Sequence, residues 1–172
     1  GWYLPTHGDT TAYGLMEAQI PGSPELCDRV VQAAEQAGFE YLLIPVGSTC
    51  WEAWISGAFM AARSTHIKPL IAARPGYINP VLLAKMISTF DQMSGGRLML
   101  GVGRGISPYE VGYYGVDPAE TQARYVETLE LILTALRSQA PGGALTFEGK
   151  FHRFKDVPIE LAPVQKPHPP LW

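Results

Sequence analysis

Cysteine is scarce in this sequence: Cys27 and Cys50 are the two in 172 residues. Two thiols cannot build a disulfide framework, and neither sits in a C-x-x-C or other metal-ligand spacing. The four histidines, His7, His66, His152 and His168, are scattered without ligand-like pairing, so no metal site is expected. Free thiols fit a reducing compartment, and a cytoplasmic location is the expectation. An excess of positive charge is missing as well. Thirteen Lys and Arg stand against sixteen Asp and Glu, a net charge of −3, which excludes the basic footprint of a nucleic-acid binder. No apolar run approaches the ~18 residues of a membrane span. No charged-then-apolar leader opens the chain, so no secretory signal is expected. The start at Gly1 and the stop at Trp172, within strand-like apolar text, lead to the expectation of a fragment.

What is present is globular: 47% hydrophobic and 17% charged residues over the length of one domain. WYLP (2–5) is short and apolar. Ser23 and Pro24 predict a helix start and Gly38 its end, with Leu26, Val30, Ala33, Ala34 and Ala37 on one face. YLLIP (41–45) is a continuous apolar run, the mark of a strand buried on both faces. Helix 50–62 and strand 67–73 follow. Asn79-Pro80 opens a helix over 81–93, ended by Ser94-Gly95-Gly96. RLMLGVG is a fourth strand. Asp117-Pro118-Ala119-Glu120 is a capping box that opens a helix through 125–138. Four βα units with apolar strands predict an α/β fold with a parallel sheet, either open and doubly wound or the first half of an eight-stranded barrel. From 140 to 169 the rhythm breaks into an insertion with a hairpin-like EGK turn, before the chain re-enters the sheet at PPLW.

The stretch RLMLGVGRGISPYE (97–110) carries the chemistry. A dinucleotide fingerprint requires G-x-G-x-x-G straight after a strand. Gly101 and Gly103 are in register, but position 106 is Ile and no helix opens at once. No G-K-[ST] follows either, so both standard phosphate loops fail. Two readings stay open. Gly103 and Gly105 let a ligand approach the backbone while Arg104 and Arg124 offer forks of donors to a phosphate. Alternatively, the glycines relieve crowding and both arginines are solvated.

DQMSGGRLMLGVGRG, followed by GYYG and a long helix, resembles the bacterial luciferase-like, flavin-dependent monooxygenase family. WYLPTHGD, IPVGSTCWEAW and AARPGYINPVLLAKMISTFDQMSGGR are most similar to its alkanesulfonate monooxygenase branch. TFEGKFHRF and PVQKPHPPLW match the family's insertion and the entry to its fifth strand. The resemblance implies a (βα)8 TIM barrel, with this chain holding its N-terminal half. It implies a loosely held reduced FMN that reacts with oxygen, a small organic substrate, and a separate flavin reductase. It also implies a homo-oligomer through the barrel helices. A related group on the same fold uses a reduced deazaflavin and transfers hydride without oxygen.

Site residues follow from the resemblance. Cys50 matches the cysteine that the alkanesulfonate branch places near the reactive flavin carbon, and its place at a helix opening favours a thiolate or a hydrogen-bonded thiol. A small buried hydrophobe is the plainer reading of the same residue. His7, after the first strand, sits where barrel active sites form and would donate to an oxygen intermediate or an anionic substrate, with Asp9 orienting it. Gly103, Arg104, Gly105 and Arg124 would hold the FMN phosphate. Arg74 in AARPG would bind a sulfonate or carboxylate, or simply pair with a carboxylate of the protein. Cys27, mid-helix and off the apolar face, is expected to be inert. Ser48 stands where the branch commonly carries an arginine, and the Gly101–Gly105 stretch is closer to luciferase itself.

Overall fold

A computed structural model of the protein describes residues 1–9, 20–105, 107–137 and 143–172, apart from the side chain of Tyr109. Ile106, Ser138 and the first residues of the expected insertion, 140–142, lie outside the described residues. Contacts divide the chain into two compact units, Gly1–Ala72 with Met99–Gly101, and Ala73–Leu98 with Val102–Trp172.

The first unit holds all but Ala73 and Val102 of a four-stranded sheet in the order β1-β4-β5-β6: β1 (Trp2–Tyr3), β4 (Tyr41–Ile44), β5 (Lys68–Ala73) and β6 (Met99–Val102). β4 runs parallel to both β1 and β5, as the strand-helix alternation predicts. Two short strands, β2 (Gly8–Asp9) and β3 (Ile20–Pro21), form a separate antiparallel pair. Helix α1 (Pro24–Gln36) starts as the sequence predicts: Leu26 N–H donates to Ser23 Oγ at 3.1 Å, and Gly38 takes φ 71° after the last turn. Its buried face is rotated from the expected one. Leu26, Cys27, Val31 and Ala34 are buried, whereas Ala33 and Ala37 are exposed. Cys27 and Val31 outcompete the alanines because burying the larger side chains removes more apolar area from water.

β4 corrects a second expectation. Leu42 and Ile44 are fully buried, but Leu43 between them is 37% exposed, so the strand alternates rather than being covered on both faces. Helix α2 (Ala53–Ala61) packs on this sheet through Gly57. A Cβ there would stand 2.9 Å from Ile71 Cδ1 and 3.1 Å from Ile44 Cδ1, so a larger residue would require those isoleucine ends to shift. Near the end of α1, Glu35 accepts the backbone N–H groups of Thr65, His66 and Ile67 at 2.9, 2.7 and 3.1 Å. Burial alone would raise its carboxyl, but these bonds and the Thr65 hydroxyl outweigh it and hold the pKa at about 2.

The second unit is helical with an appended hairpin. Asn79 caps α3 (Pro80–Met93), its Oδ1 accepting from Val81 N–H and Leu82 N–H. Helix α3 contacts α5 (Thr121–Arg137), and Leu83, Ile87 and Phe90 of the first and Leu131, Ile132 and Leu136 of the second are buried. Helix α5 begins at Thr121, after the proposed capping box rather than within it. Asp117 Oδ1 accepts from Ala119 N–H at 2.9 Å, making a turn, and the Glu120 side chain reaches forward to Arg124 instead of back. A short helix, α4 (Pro108–Tyr113), follows β6 where the sequence predicts no immediate helix. β7 (Ala144–Glu148) and β8 (Arg153–Pro158) form the antiparallel hairpin about the EGK turn. The chain then returns as expected at its end, where Val102 N–H donates to Trp172 O at 2.9 Å. Buried Asp91 fixes that return by accepting from Gln165 N–H and its side-chain amide at 2.9 and 2.7 Å.

Candidate functional site

The glycines after β6 have a direct structural cause. Gly103 N–H donates to Ala73 O at 3.2 Å, extending the hydrogen bonding one residue past the strand. A Cβ on Gly103 would stand 3.2 Å from Arg74 Nη1. Gly105 takes φ 75°, and a Cβ there would meet the Tyr77 hydroxyl at 2.5 Å. Both glycines therefore leave room for two side chains from the segment after β5. Between them Arg104 is exposed, while its backbone carbonyl accepts the Tyr77 hydroxyl at 2.7 Å. The turn is held from outside and presents one guanidinium.

The holding side chains are themselves anchored. Arg74 Nε lies 2.7 Å from Glu110 Oε1, and both side chains are largely buried. Glu110 sits on α4, whose Ser107 caps it by accepting from Glu110 N–H at 3.5 Å. The Tyr77 ring stacks on Tyr114 with centroids 5.0 Å apart. Burial, then the Glu110 carboxylate, pushes the Tyr77 phenol above its ordinary value, so it remains a donor through neutral pH. Of the two uses expected for Arg74, the structure has it paired with a carboxylate of the protein.

Arg124 is differently placed. Its guanidinium bonds Glu120 through Nη2 at 3.0 Å and Nε at 3.1 Å, and lies over the Phe151 ring at 4.3 Å. These contacts belong to the seat of the hairpin on α5. Glu127 accepts the backbone N–H groups of Lys150, Phe151 and His152 at 2.7, 2.9 and 2.8 Å, and the His152 ring meets Thr128 Oγ1 at 3.0 Å. Burial lowers the His152 pKa more than the Glu127 charge raises it, so the ring is neutral at pH 7.

In the first unit, Cys50 is a free, half-buried thiol. It does not open a helix. Its N–H donates to Gly47 O at 3.2 Å in a turn, and α2 begins three residues later, capped by Glu52 through Ile55 N–H at 2.8 Å. The helix-dipole argument for a thiolate at Cys50 accordingly falls away. His7 is exposed and stacks on Tyr3 with centroids 6.4 Å apart. Tyr3 in turn donates to Asp9 Oδ1 at 3.2 Å, and burial together with that carboxylate raises the Tyr3 pKa. Cys27 is not off the apolar face but fully buried, with Sγ 3.9 Å from Pro5 O and its pKa pushed up by burial. An inert thiol is the outcome of that environment. Among the described residues, no group of three or more His, Cys, Asp or Glu is placed to hold a metal, and no helix is long and apolar enough to cross a membrane.

Sequence reasoning missed Tyr77 and Glu110. Ser107-Pro108-x-Glu110 was a readable helix start, but nothing in the text marks Tyr77 as a partner of a loop 27 residues on.

Comparison with known proteins adds the context. The model of a family described as luciferase-like monooxygenase matches residues 1–172. Monooxygenase RslO1 from Streptomyces bottropensis superposes with a TM-score of 0.79 at 23% identity, over 99% of this chain and 51% of its own. The coenzyme F420 dependent tetrahydromethanopterin reductase from Methanopyrus kandleri gives 0.69 at 23%, over 87% of this chain and 46% of its own. The oxygenating constituent of 3,6-diketocamphane monooxygenase from Pseudomonas putida, solved with FMN, gives 0.65 at 22%, over 83% and 42%. The chain thus spans about half the length of the structures it resembles, and at these identities the likeness is one of fold.

Proposed function

Because the chain belongs to the luciferase-like monooxygenase family, we propose that it forms part of a monooxygenase that uses reduced FMN and oxygen to oxidise a small organic substrate. On this reading the parallel sheet and its helices are the N-terminal half of a (βα)8 barrel, and residues 140–169 are an insertion before its fifth strand. Within the family we favour the alkanesulfonate branch, on the strength of WYLPTHGD and IPVGSTCWEAW. An organosulfur compound is the substrate class that goes with that branch, and a separate reductase and a homo-oligomer are the proposed partners.

The observation that carries the proposal is the turn at Gly103–Gly105, fixed by Tyr77 and Arg74 and exposing Arg104. Its donor chemistry fits FMN: an exposed guanidinium at a strand end offers the planar fork that a phosphate accepts. Arg104 is therefore the phosphate ligand, with Gly103 and Gly105 shaping the turn that carries it. Arg124, already bonded to Glu120 and laid on Phe151, is the weaker second cation. Arg74 keeps Nη donors for a substrate anion while Glu110 takes its Nε. Cys50 and His7 are proposed as the catalytic donors, each to be judged by its own variant. Reduced flavin, when bound, supplies the electrons that activate oxygen; the chain's part is binding, orientation and exclusion of water.

A second reading, a deazaflavin-dependent oxidoreductase on the same fold, is favoured by the likeness to the F420-dependent reductase. Anaerobic titration of the full-length protein with reduced FMN and with reduced deazaflavin, then an oxygen pulse, separates the two. Tight binding of reduced FMN with oxygen uptake, altered in Cys50→Ala and His7→Ala, supports the monooxygenase. Binding of reduced deazaflavin alone, without oxygen uptake, overturns it. Tight flavin binding with no turnover identifies a non-catalytic flavoprotein.

A further inference from the structure

Resting on that reading of the turn as the FMN phosphate site, we infer that Tyr77 is a positioning residue for Arg104, a latch that sets the guanidinium without touching the ligand. Two features of Tyr77, its hydroxyl and its ring, carry this inference. Its hydroxyl donates to Arg104 O at 2.7 Å, which fixes the peptide plane from which the arginine side chain springs. The same hydroxyl occupies the space that a side chain at position 105 would need, so Gly105 and Tyr77 specify each other. The ring is clamped against Tyr114 at 5.0 Å, which keeps the hydroxyl from swinging away. Glu110, bonded to Arg74 beside Gly103, holds the other end of the turn. Arg104 itself makes the phosphate contact, and Tyr77 works through the backbone. A long exposed arginine loses rotamer freedom when it grips an anion, and a fixed backbone origin reduces what must be ordered on binding.

The test compares anaerobic dissociation constants of the full-length protein for reduced FMN and for reduced riboflavin, which lacks the phosphate. Tyr77→Phe removes the hydroxyl but keeps the stacked ring. We expect it to weaken reduced FMN about fivefold, the worth of one net hydrogen bond, and to leave reduced riboflavin unchanged. A merely structural role would weaken both flavins alike. In an Arg104→Ala background the same change should have no further effect on FMN, because the latch has nothing left to position. Should Tyr77→Phe lose its fold, Tyr114→Leu carries the test, since it frees the same ring from its other side. Equal losses for both flavins, no loss for either, or full additivity with Arg104→Ala overturns the latch while leaving the FMN site standing. Failure of the unaltered protein to bind reduced FMN overturns both.

Discussion

The turn after β6 and the turn after β4 carry the two kinds of candidate chemistry, and they are built in opposite ways. After β6, each glycine is fitted to a bulky side chain from the segment following β5, and a carbonyl between them is latched by Tyr77. After β4, the segment from Gly47 to Cys50 closes on itself through one backbone bond, and a Cβ on Gly47 would lie 3.6 Å from Cys50 Sγ, an ordinary contact. Among the described residues, tertiary contacts from Tyr77 and Arg74 hold the first turn, and a local backbone bond closes the second. A group that must hold a charged ligand in one place gains from the first kind of construction. A thiol in the second kind has more room to be replaced, so substitutions around it should report on chemistry more than on folding.

That contrast can be broken by four substitutions. The largest effect is expected from Gly105→Ala, which combines φ 75° with the close approach of the Tyr77 hydroxyl. A cost of about 2–3 kcal/mol in denaturant unfolding is expected for a strained, left-handed alanine. Gly103→Ala faces the end of the Arg74 side chain at 3.2 Å, which can shift, so about 1 kcal/mol is expected from the same titration. Glu52→Ala removes the cap that accepts Ile55 N–H, and a loss of about 0.5–1 kcal/mol should appear as a lowered melting temperature. Gly47→Ala should change stability by no more than about 0.5 kcal/mol, since the space is open to a methyl group. A Gly47→Ala penalty as large as that of Gly105→Ala would erase the distinction between the two turns.

The same contrast explains what could be read in advance. The βα order, the caps at Ser23 and Asn79 and the hairpin are local signals, and the structure carries them where the residues put them. The start of α5 shifted because Glu120 found Arg124 and Lys150 rather than the helix N-terminus behind it. The buried face of α1 turned because Cys27 and Val31 displaced smaller alanines, a choice made by packing and invisible to spacing. At the site, Gly103, Arg104 and Gly105 stood out as text, but the reason for the glycines did not. Tyr77 and Arg74 fill the space they leave, from 28 and 29 residues earlier in the chain, and only the fold brings them there. Cys50 shows the converse: its neighbours made it look like the first residue of a helix, and a turn plus the Glu52 cap moved the helix away from it.

On the reading proposed above, the Gly103–Gly105 turn grips the phosphate of a reduced flavin through Arg104. The most direct measurement is the ratio of anaerobic affinities for reduced FMN and reduced riboflavin, before and after Arg104→Ala. The unaltered protein should prefer FMN, and the variant should lose about tenfold of that preference, as a charge-assisted contact requires. A preference for FMN that survives Arg104→Ala intact would place the phosphate elsewhere and rule out Arg104 as its ligand.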